Sequence, residues 1–194
     1  MDGVLIYLAS QSPRRAELLQ QLGVRFQVVK VHVDETPRSC EEPGTCARRL
    51  AESKAQAVLF SLGSGITQPI LAADTLVAVD GTILGKPADQ SEGLAMLARL
   101  SGRSHQVLSA VTFWYDGVLH TALSVSTVKF CAITAKEAVN YWQTGEPKDK
   151  AGGYAIQGRG ALFIERLEGS YSGVMGLPLF ETAALLRAAG IRIL

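Results

Sequence analysis

The stretch Leu5-Ile6-Tyr7-Leu8-Ala9-Ser10-Gln11-Ser12-Pro13-Arg14-Arg15 runs from an apolar strand into two hydroxyls, a proline and paired arginines, and a helical pattern follows it. Ser12 suits the N-cap and Pro13 the first helical position, where a missing N–H costs nothing. Leu18, Leu19 and Leu22 then line one helical face, and Gly23 suits the C-terminal cap. This β-α unit ends in a helix N-terminus with free amides, hydroxyls and guanidinium groups around it, an arrangement suited to an anion and to phosphate above all. The same residues would serve equally in a capped surface helix with solvated arginines.

Outward from that stretch, strands and helices alternate without a clear linker. Residues 26–31 form a second expected strand, ending at Asp34-Glu35 with Thr36-Pro37 as a breaker. A helix is expected over residues 45–60, where Leu50, Lys54 and Val58 share one stripe. Residues 69–73 read as a short buried strand leading to Asp74-Thr75. Asp80-Gly81 sits between strands 76–79 and 82–84, a strong hairpin signal, and Asp116-Gly117 sits between 107–115 and 118–130. Further helices are expected over 91–100, from a Thr134/Glu137 capping box to about 143, and over 178–189. Residues 152–160 form a glycine-rich loop with strand pieces. Hairpins mixed with crossover helices imply an α/β fold with a mixed sheet flanked by helices.

Composition bounds the class. The chain has 194 residues, enough for one domain or one domain with two lobes, and its 47% hydrophobic and 19% charged content is that of an ordinary soluble globular protein. A formal net charge of +1 argues against nucleic-acid or membrane binding by bulk electrostatics, so any cationic site must be local. Met1-Asp2-Gly3 lacks the basic n-region of a secretory leader, and no apolar run approaches a membrane span. Cys40, Cys46 and Cys131 have no metal-type spacing and read as free thiols, so a cytoplasmic location is expected.

Four features carry chemistry. Asp74 stands where a strand is expected to end; a lone aspartate there serves as a cap or turn residue, yet ligands also sit at the carboxyl ends of strands in open α/β sheets. Asp34-Glu35 follows a strand too, and two acidic patches that converge would suit Mg²⁺, which takes one or two carboxylates plus phosphate oxygens. Lys54 shares the stripe of Leu50 and Val58, so it either snorkels at the edge of an apolar face or turns its charge inward. Residues 81–86, ending in Lys86, are one residue short of a Walker A loop, lack its following hydroxyl and run through an expected strand, which excludes that motif. Finally, the glycines of 148–160 permit close backbone approach to a ligand, while Gln157 offers an amide that both donates and accepts; otherwise the segment is a flexible surface loop. No nucleophile-elbow motif occurs, and His32, His105 and His120 have no evident partners, so structural or exposed roles are expected.

Ser10-x-Ser12-Pro13-Arg14-Arg15, Asp34-Glu35-Thr36-Pro37, Ala73-Asp74-Thr75, Gly85-Lys86-Pro87 and Gly176-Leu177-Pro178 occur in the order found in Maf proteins, and the resemblance covers nearly the whole chain. Maf proteins are nucleoside triphosphate pyrophosphatases first described in connection with septum formation. The resemblance implies a fold shared with inosine triphosphate pyrophosphatases, a cleft between two lobes, and hydrolysis of a nucleotide to its monophosphate and pyrophosphate with a divalent cation, Mg²⁺ or Mn²⁺. It also suggests a homodimer. A nucleotide-binding regulator of division with incidental hydrolysis would use the same motifs.

By that resemblance Asp74 is the catalytic carboxylate, as proton acceptor, metal ligand or both, with Glu35 ahead of Asp34 as the second metal-side carboxylate. Arg15, Lys54 and Lys86 would hold phosphate oxygens, with Ser10, Ser12 and Arg14 beside them. Two branches of the family differ at three positions. One, resembling 7-methyl-GTP pyrophosphatases, carries Trp, Gln and Glu; the other, resembling dTTP/UTP pyrophosphatases, carries Arg, Thr and Gln, as here at Arg14, Thr75 and Gln157. A carboxylate can accept from the guanine N1–H and N2–H₂ edge. An amide can instead donate to O4 or O2 and accept from N3–H of uracil or thymine.

Overall fold

The computed structural model describes residues 5–63 and 65–193; Met1-Asp2-Gly3, considered above for a leader, lies outside them. The order is β1 (Leu5–Ala9), α1 (Pro13–Gln20), β2 (Arg25–Val28), α2 (Pro43–Leu62), β3 (Ile70–Val79), β4 (Thr82–Leu84), α3 (Gln90–Leu100), β5 (Ser104–Tyr115), β6 (Val118–Phe130), α4 (Ala135–Gln143), β7 (Ile164–Glu168), α5 (Tyr171–Met175) and α6 (Leu179–Ala188). The strands form one mixed sheet in the order β2-β1-β3-β5-β6-β7, with β4 added to part of β3. The expected mixed α/β fold is the observed one, though β7 and α5 were not anticipated from sequence.

Both Asp-Gly hairpins form. Asp80 and Gly81 have φ of 50° and 72°, Asp116 and Gly117 have φ of 50° and 80°, the positive pair that a two-residue turn matched to strand twist requires. The Thr134/Glu137 capping box is complete at the start of α4. Strand β2 stops at Val28, short of the expected 31, because β1, the strand it pairs with, ends at Ala9. The Val29 N–H still reaches the Leu8 carbonyl at 2.9 Å, and from there residues 29–42 leave the sheet as irregular chain.

The main correction concerns Asp74. It does not end a strand; β3 runs through it without a break. The antiparallel partner β5 pairs with β3 from Ile70 to Ala78 and carries the strand past the polar residues. On its other edge β3 is paired with β1 as far as Ala72 and with β4 only from Val77. The sheet is therefore forked, and Asp74 and Thr75 lie at the fork.

Side chains of β3 alternate between two covered faces. Ile70, Ala72, Leu76 and Ala78 meet α2, through Ala55 and Val58 at one end and Ala47, Leu50 and Ala51 at the other. Leu71 and Ala73 pack with Leu18 and Leu19 of α1 and Leu186 of α6, while Val77 and Val79 pack with Leu97 and Leu100 of α3 and Tyr141 of α4. Each fully buried leucine contributes on the order of 1.5–3 kcal/mol. Both elements of the α2 face are interrupted at the same level: Lys54 falls between Leu50 and Val58, and Asp74 between Ala72 and Leu76. No helix among the described residues is long and apolar enough to cross a membrane.

Candidate active site

A cavity of about 940 Å³ opens at the fork, and Ser10, Ser12, Arg14, Arg15, Glu35, Lys54, Asp74, Thr75, Lys86 and Gln157 all line it. Its innermost polar contact follows from the interrupted stripes. Lys54 Nζ donates to Asp74 Oδ1 at 2.6 Å, so each buried charge supplies what the other lacks. Asp34 and Glu35 divide between two tasks. Asp34 Oδ1 accepts from the Thr36 N–H at 2.9 Å and turns the loop. Glu35 reaches inward, placing Oε1 at 2.6 Å from Lys54 Nζ and Oε2 at 3.0 Å from Lys86 Nζ.

Asp74, Lys54, Glu35 and Lys86 thus form a line of alternating charge leading outward, with side-chain exposures of 7%, 11%, 44% and 59%. Burial would raise the Glu35 carboxyl, but Lys54 and then Lys86 outweigh it and hold it at about 2. Arg15 lies beyond the other edge of the fork. Burial pulls its guanidinium below the ordinary value while the fields of Asp74 and Glu35 act in the opposite direction.

Arg15 is held by three groups. Its Nε–H donates to the Gly176 carbonyl at 2.7 Å, and its terminal nitrogens approach Ser10 Oγ and Thr75 Oγ1 at 3.4 Å each. Gly176 has φ of 126°, a conformation side chains rarely adopt, which lets the α5–α6 turn present that carbonyl. Thr75 Oγ1 lies 2.8 Å from Ser109 Oγ, its ladder partner, and Ser109 donates to the Gly173 carbonyl at 2.5 Å. Ser12 occupies the N-cap position of α1, but its side chain makes no capping bond; Ser10 Oγ accepts the Ser12 N–H at 3.1 Å instead. Of the other lining residues, Arg14 is half-buried and Gln157 exposed. Lys150 and Asp149 also line the cavity, which brings five basic side chains against three acidic ones among the described residues.

Five separated sequence motifs therefore meet around one cavity, and their order is a family's signature. The Maf-like protein family profile matches residues 5–189. The chain belongs to the Maf-like protein family. Among its relatives, a protein of Methylobacillus flagellatus named dTTP/UTP pyrophosphatase is 52% identical over 97% of this chain and 94% of its own length. One of Burkholderia orbicola with the same name is 54% identical over 96% of this chain and 94% of its own. The solved structure of the Staphylococcus aureus Ham1 protein aligns with a TM-score of 0.42 and 16% identity over 68% of this chain and 72% of that one, too distant to carry a conclusion.

Behind the cavity wall of this Maf-like protein lies His105, for which the sequence leaves a structural or an exposed role open and the structure gives the first. His105 is 2% exposed, with its ring edge-on to Phe130 and Tyr154 and its Nε2 at 2.8 Å from the Tyr154 hydroxyl. Its Nδ1 has no hydrogen-bond partner among the described residues, and burial pushes the imidazole down to about 4. A histidine refused its proton in the folded state while the unfolded chain binds it near 6.5 makes stability fall as pH drops from 6.5 toward 4. Between pH 7.5 and 4.5 the wild type should lose about 2–3 kcal/mol more than His105→Phe, measured by urea unfolding at both values. Parallel losses in the two proteins would remove His105 from the acid response.

Proposed function

We propose that this chain hydrolyses dTTP and UTP to the monophosphate and pyrophosphate, using Mg²⁺ or Mn²⁺, as part of nucleotide-pool housekeeping. The observation that carries this reading is the line Asp74–Lys54–Glu35–Lys86 inside a net-positive cavity that also holds Arg15 and Gln157. The names of the relatives, dTTP/UTP pyrophosphatase, support the substrate pair.

The donor set fits a hard cation that arrives with nucleotide. No group of three or more His, Cys, Asp or Glu that could hold a metal occurs among the described residues, whereas Asp74 and Glu35 converge on one ammonium. Two carboxylates completed by phosphate oxygens suit Mg²⁺ or Mn²⁺. When bound, the cation supplies positive charge against the triphosphate oxygens.

The protein's own groups do the rest. Asp74, oriented through Oδ1 by Lys54, takes the proton of the water that attacks the α-phosphorus on Oδ2. Lys54, Lys86 and Arg15 bind phosphate oxygens and offset the charge that builds on the departing pyrophosphate. Gln157 donates to O4 or O2 of the pyrimidine and accepts from its N3–H. Because Gln157 is exposed in this structure, its discrimination is expected to be on the order of 10–10², below that of a fully buried pair.

The test is a panel of triphosphates with Mg²⁺ or Mn²⁺, read by product analysis. Pyrophosphate and monophosphate should appear first, dTTP and UTP should have the highest kcat/KM, and chelation should stop turnover. Diphosphate as first product would exclude the reaction type. Equal or better kcat/KM for 7-methyl-GTP would overturn the base assignment alone, and binding without repeated turnover would indicate a nucleotide-binding regulator.

A further inference from the structure

Gln157 reads a base only if its backbone is fixed, because an exposed amide on a mobile turn would accommodate any edge. It sits in a tight turn closed by the Gly158 N–H to the Ala155 carbonyl at 3.3 Å. Both sides of that turn are fastened to α4 and the segment after it. The Ala155 N–H donates to the Tyr141 hydroxyl at 3.1 Å, and that hydroxyl donates to Glu146 Oε1 at 2.6 Å. The Gly160 N–H donates to the same Oε1 at 2.9 Å, and the Arg159 N–H to Oε2 at 2.8 Å. One carboxylate and one phenol thus hold three backbone amides that flank Gln157.

The glycines are part of this arrangement. A Cβ on Gly158 would overlap the Glu146 carboxylate, and one on Gly160 would lie 2.6 Å from the Tyr141 hydroxyl. Burial works against the Glu146 charge, yet the bonds from Tyr141, Gly160 and Arg159 keep its carboxyl below the ordinary range. Charge-assisted bonds from backbone amides are among the stronger fixings available to a loop. Neither residue lines the cavity.

We infer that Tyr141 and Glu146 are positioning residues for base selection: they hold the 155–160 turn so that the Gln157 amide presents one donor and one acceptor to the pyrimidine edge. This rests on the assignment of Gln157 made above.

The experiment compares kcat/KM for UTP and CTP in the wild type, Glu146→Gln, Tyr141→Phe and Gln157→Ala, and in Glu146→Gln combined with Gln157→Ala, with thermal unfolding of each. In Glu146→Gln an amide NH₂ faces the Arg159 N–H, so the turn loses a fixing point; Tyr141→Phe removes only the hydroxyl and serves if the first variant unfolds. Each single variant of the clamp should lower the UTP/CTP ratio by about three- to tenfold, part of the discrimination Gln157 supplies, with pyrophosphate still the product. In the Gln157→Ala background Glu146→Gln should change that ratio less than twofold. An unchanged ratio in folded clamp variants, where Gln157→Ala does lower it, would overturn the inference alone. So would an undiminished effect in the double variant. If Gln157→Ala leaves the ratio unchanged, the base-reading assignment itself is wrong and the clamp's role falls with it.

Discussion

Replacing Asp74 with asparagine is expected to reduce turnover by about 10²–10⁴-fold while leaving the fold intact. The amide keeps an oxygen for the Lys54 ammonium, which donates to Oδ1 at 2.6 Å, but it loses the charge and the basicity that a proton acceptor needs. Stability should change little, because Glu35 still pairs with Lys54 at 2.6 Å and no buried charge is orphaned. The β3–β5 ladder through Asp74 uses backbone groups that the substitution does not touch. Steady-state kcat and thermal unfolding, measured on the same preparation, separate the two effects. A folded Asp74→Asn protein with turnover near that of the wild type would take Asp74 out of the mechanism.

The parts of this site legible in the sequence are those set by local pattern. The stripe Leu50, Lys54, Val58 puts a cation on the apolar face of its helix because helical period alone decides which residues share a face, but the same period does not separate a snorkelling lysine from one that turns inward to Asp74. The Asp-Gly turns were legible because few residues tolerate positive φ at both turn positions. Asp74 was misplaced to a strand end for a complementary reason. Within its own segment, Ala73-Asp74-Thr75 interrupts an apolar run, and only the continuous pairing with β5, together with Lys54 twenty residues earlier, makes a mid-strand carboxylate tolerable. Ser109, Tyr141 and Glu146 gave no signal, since each acts through a backbone group or hydroxyl far away in sequence: Ser109 on Gly173, Tyr141 on Ala155, Glu146 on Arg159 and Gly160. The capping box at Thr134 and Glu137 did place Tyr141 on a helix, but not what that helix would face. The glycine-rich segment reads either as backbone in close approach or as a flexible loop, because glycine spacing does not distinguish a loose chain from one packed too closely for a Cβ, and here Gly158 and Gly160 are of the second kind.

Lys54→Met should lower kcat/KM by on the order of 10²–10³ and also destabilise the protein, a pairing of effects that a lysine snorkelling at the edge of an apolar face would not produce. Methionine fills similar volume among Leu50, Val58 and the β3 side chains, so packing is largely kept. What disappears is the ammonium held at 2.6 Å by both Asp74 and Glu35, leaving a buried carboxylate without its partner. Breaking a buried pair by removing one member costs about 3–5 kcal/mol, and the partial exposure of Glu35 places this case at the lower end. The pH dependence gives the pairing a sign. With the folded Glu35 carboxyl at about 2 and its ordinary value at 4.5, the stabilisation is full above 4.5 and is lost as pH falls through 2. Lys54 is the larger of the two cationic influences, with Lys86 the other, so the variant should retain only part of that stabilisation. The stability gap between wild type and Lys54→Met should therefore narrow as pH is lowered from 4.5 toward 2, measured by denaturant unfolding across that window. A variant as stable as the wild type at neutral pH, or more so, would show that the lysine is an edge residue and that the two carboxylates do not depend on it.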